Sequence, residues 1–168
     1  RSFQITSVFG HDPVFDNLLL AVQAQAGSSF RCLRRRATES ALYDRALALA
    51  RMVGLDEVLD RTAGALPHGA QRRLDVALAL AARPKLLLLD EPLAGMGPEE
   101  SAQMVVLIQR LRAETAILLI EHDMDAVFQL ADRISVLVYG RLLASGDVAY
   151  IRDHPEVQAV YLGTETVA

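Results

Sequence analysis

The chain has 168 residues, which is enough for one domain with a real core and too few for a second independent core. Hydrophobic residues make up 52% and aromatic residues 5%, so the core must be aliphatic, as in α/β proteins whose strands are buried on both faces. The net charge of −4 disfavours nucleic-acid binding, and the single cysteine excludes an internal disulfide. No apolar stretch approaches the roughly 18 residues needed to cross a bilayer, so we expect a soluble, cytoplasmic chain.

Apolar residues recur at helical spacing through the first half of the chain. This spacing predicts helices at 14–26, 38–53 and 71–82, a helical turn at 55–59 and a loop at 62–69. Beyond Pro84, short apolar runs predict buried strands at 86–89 and 116–120 and a third strand at 133–139, with helices from 98 and at 124–131. A tight turn at 139–141 leads to a strand at 142–144 and a final helix. Strands that alternate with helices predict a doubly wound α/β sheet.

Two adjacent carboxylates, Asp90 and Glu91, follow the first predicted strand. Ligands of open α/β sheets bind at the carboxyl ends of strands. An acidic side chain there can hold Mg²⁺ through water, because magnesium prefers oxygen ligands and keeps much of its hydration shell. A neighbouring carboxylate can orient and polarise an attacking water. Taken alone, the pair also fits a strand followed by an acidic helix cap.

One histidine, His122, comes directly after the second predicted strand. By itself it fits a residue that caps the end of a strand. Because neighbouring parallel strands end on the same rim of a sheet, we expect His122 beside the two carboxylates. There it could contact a phosphate group or the attacking water.

A glycine-containing loop, LPHGAQ at 66–71, leads into the helix that precedes the first strand. A helix N-terminus offers unpaired N–H groups and the positive end of the helix dipole, and both attract phosphate. Alone, the segment fits an ordinary loop and cap. Its position one helix before Asp90 favours a phosphate-binding role.

Together these features resemble the motifs of ATP-binding cassette (ABC) proteins. In the order of the Q-loop, signature motif, Walker B motif and H-loop, the features are Gln4, the loop 66–71, the strand end at Asp90 and Glu91, and His122. The resemblance covers essentially the whole chain. The stretches RSFQ, DEPLAGM, EHDM and PEV with YLG are similar to the subfamily that energises branched-chain amino-acid importers.

The resemblance implies ATP and Mg²⁺ as cofactors of a P-loop NTPase-type parallel sheet with helices on both faces. Asp90 would help hold the metal, and Gln4 would sense it and link the site to a transmembrane partner. Glu91 resembles the general base beside the lytic water, and His122 resembles the switch histidine at the γ-phosphate. Further residues stand where the signature loop and the D-loop contact ATP of the opposite protomer: Leu66, Pro67, His68, Gly69, Ala70, Gln71 and, in the D-loop, Gly97.

The resemblance also implies a domain organisation and partners. Residues 9–82 would form an inserted helical subdomain with the signature loop, residues 1–8 and 83–146 part of the catalytic α/β core, and residues 147–168 a C-terminal helical tail. The implied partners are transmembrane permease subunits and a second ABC ATPase subunit, identical or homologous, but not nucleic acid. The chain would lie at the cytoplasmic face of the cell membrane, held there by the permease.

Three departures from the family pattern matter. The Walker A loop, with its glycines and lysine, is expected ahead of Gln4 and is absent from the chain, so we expect a cassette that is incomplete at the N-terminus. Pro67 replaces the usual serine of the signature motif and has neither a hydroxyl nor an N–H group. Gly97 replaces the usual aspartate of the D-loop.

Three functions are compatible with this pattern. The first is an ATP-hydrolysing subunit of a transporter, favoured because the Q-loop, Walker B and H-loop residues are all retained. The second is a non-transport clamp acting in DNA repair or translation, disfavoured by the acidic charge and the short segment between Gln4 and Leu66. The third is a truncated, non-catalytic interaction module, favoured by the missing Walker A loop and by Pro67. ATPase activity is expected of the intact protein and left open for the 168 residues alone.

Overall fold

The computed structural model describes residues 8–26 and 36–162. The chain forms two compact units, Arg1–Ile120 and Glu121–Ala168. The first contains helices α1 (Val14–Gln25), α2 (Arg36–Met52), α3 (His68–Ala81) and α4 (Pro98–Leu111), 3₁₀ turns at Asp56–Val58 and Ala63–Ala65, and strands β1 (Leu86–Asp90) and β2 (Ala116–Ile120). The second contains α5 (Met124–Leu130), β3 (Ile134–Val138), β4 (Arg141–Gly146), α6 (Val148–Asp153), α7 (Pro155–Val157) and a final turn, Gln158–Leu162.

The predicted α/β class is confirmed, and one predicted boundary is wrong. Helix α3 begins at His68, inside the stretch 62–69 that we expected to be a loop. Pro67 occupies the N-cap position with φ −54° and ψ 153°. Proline fixes φ near the value that a helix start requires, so here it introduces the helix rather than extending the loop.

Helices α1, α2 and α3 pack against one another because each carries an apolar stripe. In α1 the stripe is Val14, Leu18 and Val22, spaced by four residues and fully buried. Leu74 in the middle of α3 is also fully buried. The guanidinium of Arg45 on α2 donates a hydrogen bond to the carbonyl of Ala81, the last residue of α3. A positive charge at the C-terminus of a helix also interacts favourably with the helix dipole.

Asn17 is a buried polar residue that organises the loop ahead of α1. Its side chain is 2% exposed. Its Oδ1 accepts from the Phe9 N–H at 2.8 Å, and its Nδ2 donates to the carbonyls of Phe9 at 3.1 Å and Pro13 at 3.0 Å. The loop is tied in turn to the segment before α3, because the Gly64 N–H donates to the Gly10 carbonyl at 2.9 Å. Asn17 therefore helps fix the approach to the predicted signature loop.

Strands β1 and β2 pair in parallel, with Leu86 opposite Ala116 and Asp90 opposite Ile120. One face of β1 is covered, since Leu87 and Leu89 are each 1% exposed. The expectation that this strand is buried on both faces is wrong for the described residues, because Leu86 is 52% and Leu88 37% exposed. Within the first unit, the described residues pack against the face that carries Leu87 and Leu89.

The expectation of buried strands also fails in part for β2 and for the third predicted strand. In β2, Leu118 is 54% and Ile120 57% exposed. In β3, Leu137 is 58% exposed, while its neighbours on the other face, Val136 and Ile134, are buried. Alternation of this kind is the pattern of a sheet with one covered face.

The second unit is built around an antiparallel hairpin of β3 and β4. Its turn residues, Tyr139 and Gly140, have φ values of 49° and 74°. Positive φ at both central residues is the geometry of a type I′ turn, whose twist matches that of the strands. The hairpin buries a small apolar cluster with the helices of this unit, formed by Ile134, Val136, Ala144, Ile151 and Val157.

We predict that Asn17→Ala lowers the free energy of unfolding by about 1–3 kcal/mol, because the part-buried Phe9 N–H loses the acceptor that the Asn17 side chain provides. The carbonyls of Phe9 and Pro13 lose the Nδ2 donor but keep their backbone donors. Urea-induced unfolding of the variant and the parent measures this difference. Gln109→Ala, at an exposed position of α4, is the control and should change the unfolding free energy little. Equal stability of the two variants would show that the loop does not depend on Asn17.

Candidate functional site

The end of β1 carries the two predicted carboxylates. Asp90 is the last residue of the strand and pairs with Ile120. The next residue, Glu91, has φ 46°, in the left-handed region. A residue with a Cβ pays roughly 1–3 kcal/mol for such a backbone. The conformation is held by the Glu91 N–H, which donates to the Ile120 carbonyl at 2.9 Å. Both acidic residues are half-buried.

A short structured loop connects this strand end to α4. Its turns are closed by hydrogen bonds from the Ala94 N–H to the Glu91 carbonyl at 3.1 Å and from the Met96 N–H to the Leu93 carbonyl at 3.2 Å. Leu93 is 7% exposed and anchors the loop in the core. Gly97, the predicted D-loop residue, is the N-cap of α4. The segment that follows Glu91 is therefore fixed at both ends.

The predicted signature loop forms the start of α3. Leu66, Gly69 and Ala70 are buried, whereas Pro67 and His68 are exposed. The side chain of Gln71 closes the loop, because its Nε2 donates to the Leu66 carbonyl at 2.9 Å and to that of Gly64 at 3.3 Å. The Pro67 cap makes no side-chain hydrogen bond to the helix. The N–H groups of the first turn have no partner within the helix itself.

The structure brings the signature loop next to the segment after β1. The ring of His68 packs against Gly95, where an added Cβ would lie 3.3 Å from His68 Cε1. One residue on, Gly69 lies against Glu100 of α4, and an added Cβ there would lie 2.5 Å from Glu100 Oε1. Gly95 has φ 75°, which a side chain would strain in any case. Two predicted site segments that are distant in sequence are thus in contact.

His122 belongs to the second unit. Its side chain is 71% exposed, and its backbone N–H donates to Glu121 Oε2 at 3.2 Å. The next residue, Asp123, caps α5 by accepting from the Ala126 N–H at 3.1 Å. The structure therefore fixes the backbone on both sides of His122. Its expected position beside Asp90 and Glu91 stays a prediction, and Gln4 lies outside the described residues.

Sequence reasoning missed Gly95 and Glu100 as residues that contact the signature loop. The signal for Glu100 was present in the stretch GPEE at 97–100, a helix-start pattern with glutamate three residues after the cap. The Gly97 N–H donates to Glu100 Oε2 at 3.5 Å, as this pattern predicts. Nothing in the spacing of residues indicated that the same carboxylate would also reach α3.

Comparison with known proteins identifies the family. The family model described as "ABC transporter" matches residues 2–94. The high-affinity branched-chain amino acid transport ATP-binding protein LivG of Escherichia coli K12 is 42% identical over 171 residues, which cover 97% of this chain and 67% of the relative. BraF of Pseudomonas aeruginosa, with the same description, is 38% identical over 172 residues at the same coverage. The chain thus spans about two thirds of the length of these relatives.

Solved structures agree on the fold. A nucleotide-free ATP-binding cassette of an ABC transporter superposes with a TM-score of 0.75 at 23% identity, over 96% of this chain and 67% of that one. The ADP conformation of such a cassette gives 0.75 at 22% identity, over 97% and 67%. The chain therefore belongs to the ATP-binding cassette transporter family of ATPases and has the P-loop NTPase fold of that family.

Proposed function

We propose that this chain is the hydrolytic and signature-bearing part of an ATPase subunit that energises uptake of branched-chain amino acids. The observation that carries the proposal is the backbone of Glu91. A left-handed glutamate held at a strand end by a hydrogen bond to the neighbouring strand is strain that a purely structural acidic cap would not need. The cargo rests on the two relatives, whose names specify branched-chain amino acid transport.

The residues at the end of β1 fit a magnesium ion. Among the described residues no group of three or more histidine, cysteine or acidic side chains converges on one point. Mg²⁺ binds through one or two carboxylates and takes its remaining oxygens from water and phosphate, which suits the acidic pair at this strand end. Asp90 would hold it. When bound, the ion supplies neutralisation of negative charge on the phosphates.

Glu91 would act on the water that attacks the γ-phosphate. Its carboxylate accepts the proton that the water loses as the new oxygen–phosphorus bond forms, and the bond to the departing ADP breaks. The fixed backbone of Glu91 restricts where that carboxylate can lie, so orientation is supplied by the fold. Gln4 and His122 would complete the site at the metal and at the γ-phosphate. Phosphate and ADP leave as products.

The start of α3 would bind the ATP held by a second ATPase subunit. Its first-turn N–H groups and positive dipole end suit phosphate. The buried Gly69 and Ala70 keep this turn anchored, and the Gln71 side chain keeps the preceding loop closed. Each subunit of the proposed dimer would supply this loop to the nucleotide held by the other subunit. Gly97 would lie at the same interface.

The partner in the membrane would be a permease, since both relatives are named as ATP-binding proteins of branched-chain amino acid transport. None of the described helices is long and apolar enough to span a bilayer. A groove of about 540 Å³ beside α1 offers it a docking site. Phe9 is 62% and Leu20 46% exposed at this groove. Apolar side chains of this size exposed together are typical of protein contacts. The subunit would then lie at the cytoplasmic face of the membrane.

A second candidate is a non-catalytic interaction module. It is favoured by Pro67, which caps α3 without offering a hydroxyl to phosphate. The two candidates differ in one measurement, the rate of ATP hydrolysis by the native subunit purified with its permease. Steady hydrolysis supports the first candidate, and its absence in that preparation supports the second.

We predict that Glu91→Gln in the native subunit lowers the rate of ATP hydrolysis by about 10²–10⁴-fold, because the amide keeps the shape of the side chain but cannot accept the proton. ATP binding, measured by calorimetry, should be retained. Glu114→Gln, at an exposed position beyond α4, is the matched control. Near-normal turnover of the Glu91 variant would remove this residue from its proposed role.

We also predict that Pro67→Ser strengthens ATP-driven dimerisation of the native subunit. The new hydroxyl can donate to the γ-phosphate, and a hydrogen bond to a charged group contributes about 1.5–3 kcal/mol. Sedimentation at increasing ATP concentration measures the effect. Pro155→Ser, at the exposed start of α7, is the control for replacing a proline at a helix start. If serine at position 67 leaves dimerisation unchanged or weaker, the signature loop does not engage phosphate as proposed.

A further inference from the structure

The carboxylate of Glu100 lies between two helix N-termini. It is in the first turn of α4 and accepts from the Gly97 N–H at 3.5 Å. The same side chain lies against Gly69 in the first turn of α3, so closely that an added Cβ would be 2.5 Å from its Oε1 and 2.7 Å from its Cδ. A negative charge is favourable at the start of a helix, and the Glu100 carboxylate lies at the starts of both α3 and α4.

The neighbouring contact between His68 and Gly95 joins the same two segments. The imidazole packs against Gly95, whose φ of 75° would strain any residue with a side chain. Successive residues of the signature loop therefore each meet a residue of the segment 95–100. Both glycines in these contacts, Gly69 and Gly95, are positions where a Cβ would meet the opposite side chain.

We propose that Glu100 is a positioning residue that holds the signature loop against the segment following Glu91. The part of the subunit that reaches the partner's ATP then keeps a fixed relation to the loop beside its own hydrolytic carboxylate. This inference rests on the proposed role of the signature loop in ATP binding. The inference gives a second reason for a glycine at position 69. The missing side chain allows the Glu100 carboxylate to approach closely, as well as the phosphate.

The geometry indicates what an alanine at position 69 would do. The atoms that its Cβ would strike are the far end of the Glu100 side chain, which can move. Alanine itself is a better helix former than glycine. Gly69→Ala should therefore displace the Glu100 carboxylate and break its contact with the Gly97 N–H, with α3 intact. Removing the carboxylate should remove most of the obstacle, since the nearest remaining Glu100 atom, its Cβ, is 3.1 Å away.

The test is a double-mutant cycle on ATP-driven dimerisation. Sedimentation of the native subunit carrying Glu91→Gln, titrated with ATP and Mg²⁺, gives the ATP concentration for half-maximal dimer. Gly69→Ala and Glu100→Ala should each raise this concentration by roughly tenfold, and the double variant should be no worse than Glu100→Ala alone, because contacting residues couple. Glu100→Gln, which keeps the shape and the acceptor oxygen but loses the charge, should give a value between those of the parent and Glu100→Ala. Glu99→Ala, the exposed neighbour, is the control.

A readout of hydrolysis separates positioning from general damage. With Glu91 intact, Glu100→Ala should raise KM for ATP about tenfold while kcat changes by less than about twofold, because the site is complete once the dimer has formed. An equal loss in kcat would contradict the assignment.

Two outcomes of the dimerisation titration contradict different statements. If Gly69→Ala weakens dimerisation as much in the Glu100→Ala background as in the parent, the glycine is needed only for phosphate and Glu100 does not position the loop. If the parent itself does not dimerise with ATP, the proposed function of the signature loop fails, and this inference with it.

Discussion

The hydrogen bond between the Glu91 N–H and the Ile120 carbonyl is the constraint on which the candidate site depends. At 2.9 Å it joins the residue after β1 to the last residue of β2 and holds a glutamate at φ 46°. Parallel pairing of the two strands places that carbonyl where Glu91 can reach it. Because the strain is carried by the sheet, the backbone that bears the Glu91 side chain is fixed before any nucleotide arrives, as the proposed hydrolytic role requires.

The helical part of the first unit holds the predicted signature loop in place. Asn17 fixes the loop ahead of α1, that loop is tied to the segment at Gly64, and Gln71 closes the turn into α3. A chain of short polar contacts thus leads from the start of the described structure to the signature loop. From there, His68 and Gly69 contact the segment that begins at Glu91. The signature loop and Glu91 are therefore packed together within the first unit. In the proposed ATP sandwich, the loop would contact the partner's nucleotide and Glu91 would act on the subunit's own nucleotide.

Much of this was predictable from the sequence, because strand ends and helix starts are local features. The apolar run before Asp90 and the four-residue spacing of Val14, Leu18 and Val22 each specify an element without reference to the rest of the chain.

The predictions that were wrong depended on context rather than on local pattern. Pro67 was predicted to lie in a loop because proline is disfavoured in the interior of a helix. Proline is nevertheless well tolerated at the start of a helix, where Pro67 lies. Leu86 and Leu88 looked buried because four leucines in a row carry no alternation, and which face is covered depends on residues far away in the sequence. The contact of Glu100 with Gly69 depends on how α3 and α4 pack, which no spacing encodes. The roles of Asp90, Glu91, His122 and the signature residues follow from motif order, so they stay predictions until a nucleotide complex tests them.

The most direct test of the role proposed for Glu91 is a structure of the native subunit carrying Glu91→Gln, with its permease, ATP and Mg²⁺. We predict a dimer in which residue 91 keeps its positive φ and its side chain lies about 2.6–3.2 Å from a water in line with the γ-phosphate. Asp90 should face the metal, and residues 66–71 of the partner should close the other side of the phosphate. A residue 91 with ordinary extended backbone, or a side chain turned away from that water, would contradict the claim that the sheet positions the hydrolytic carboxylate.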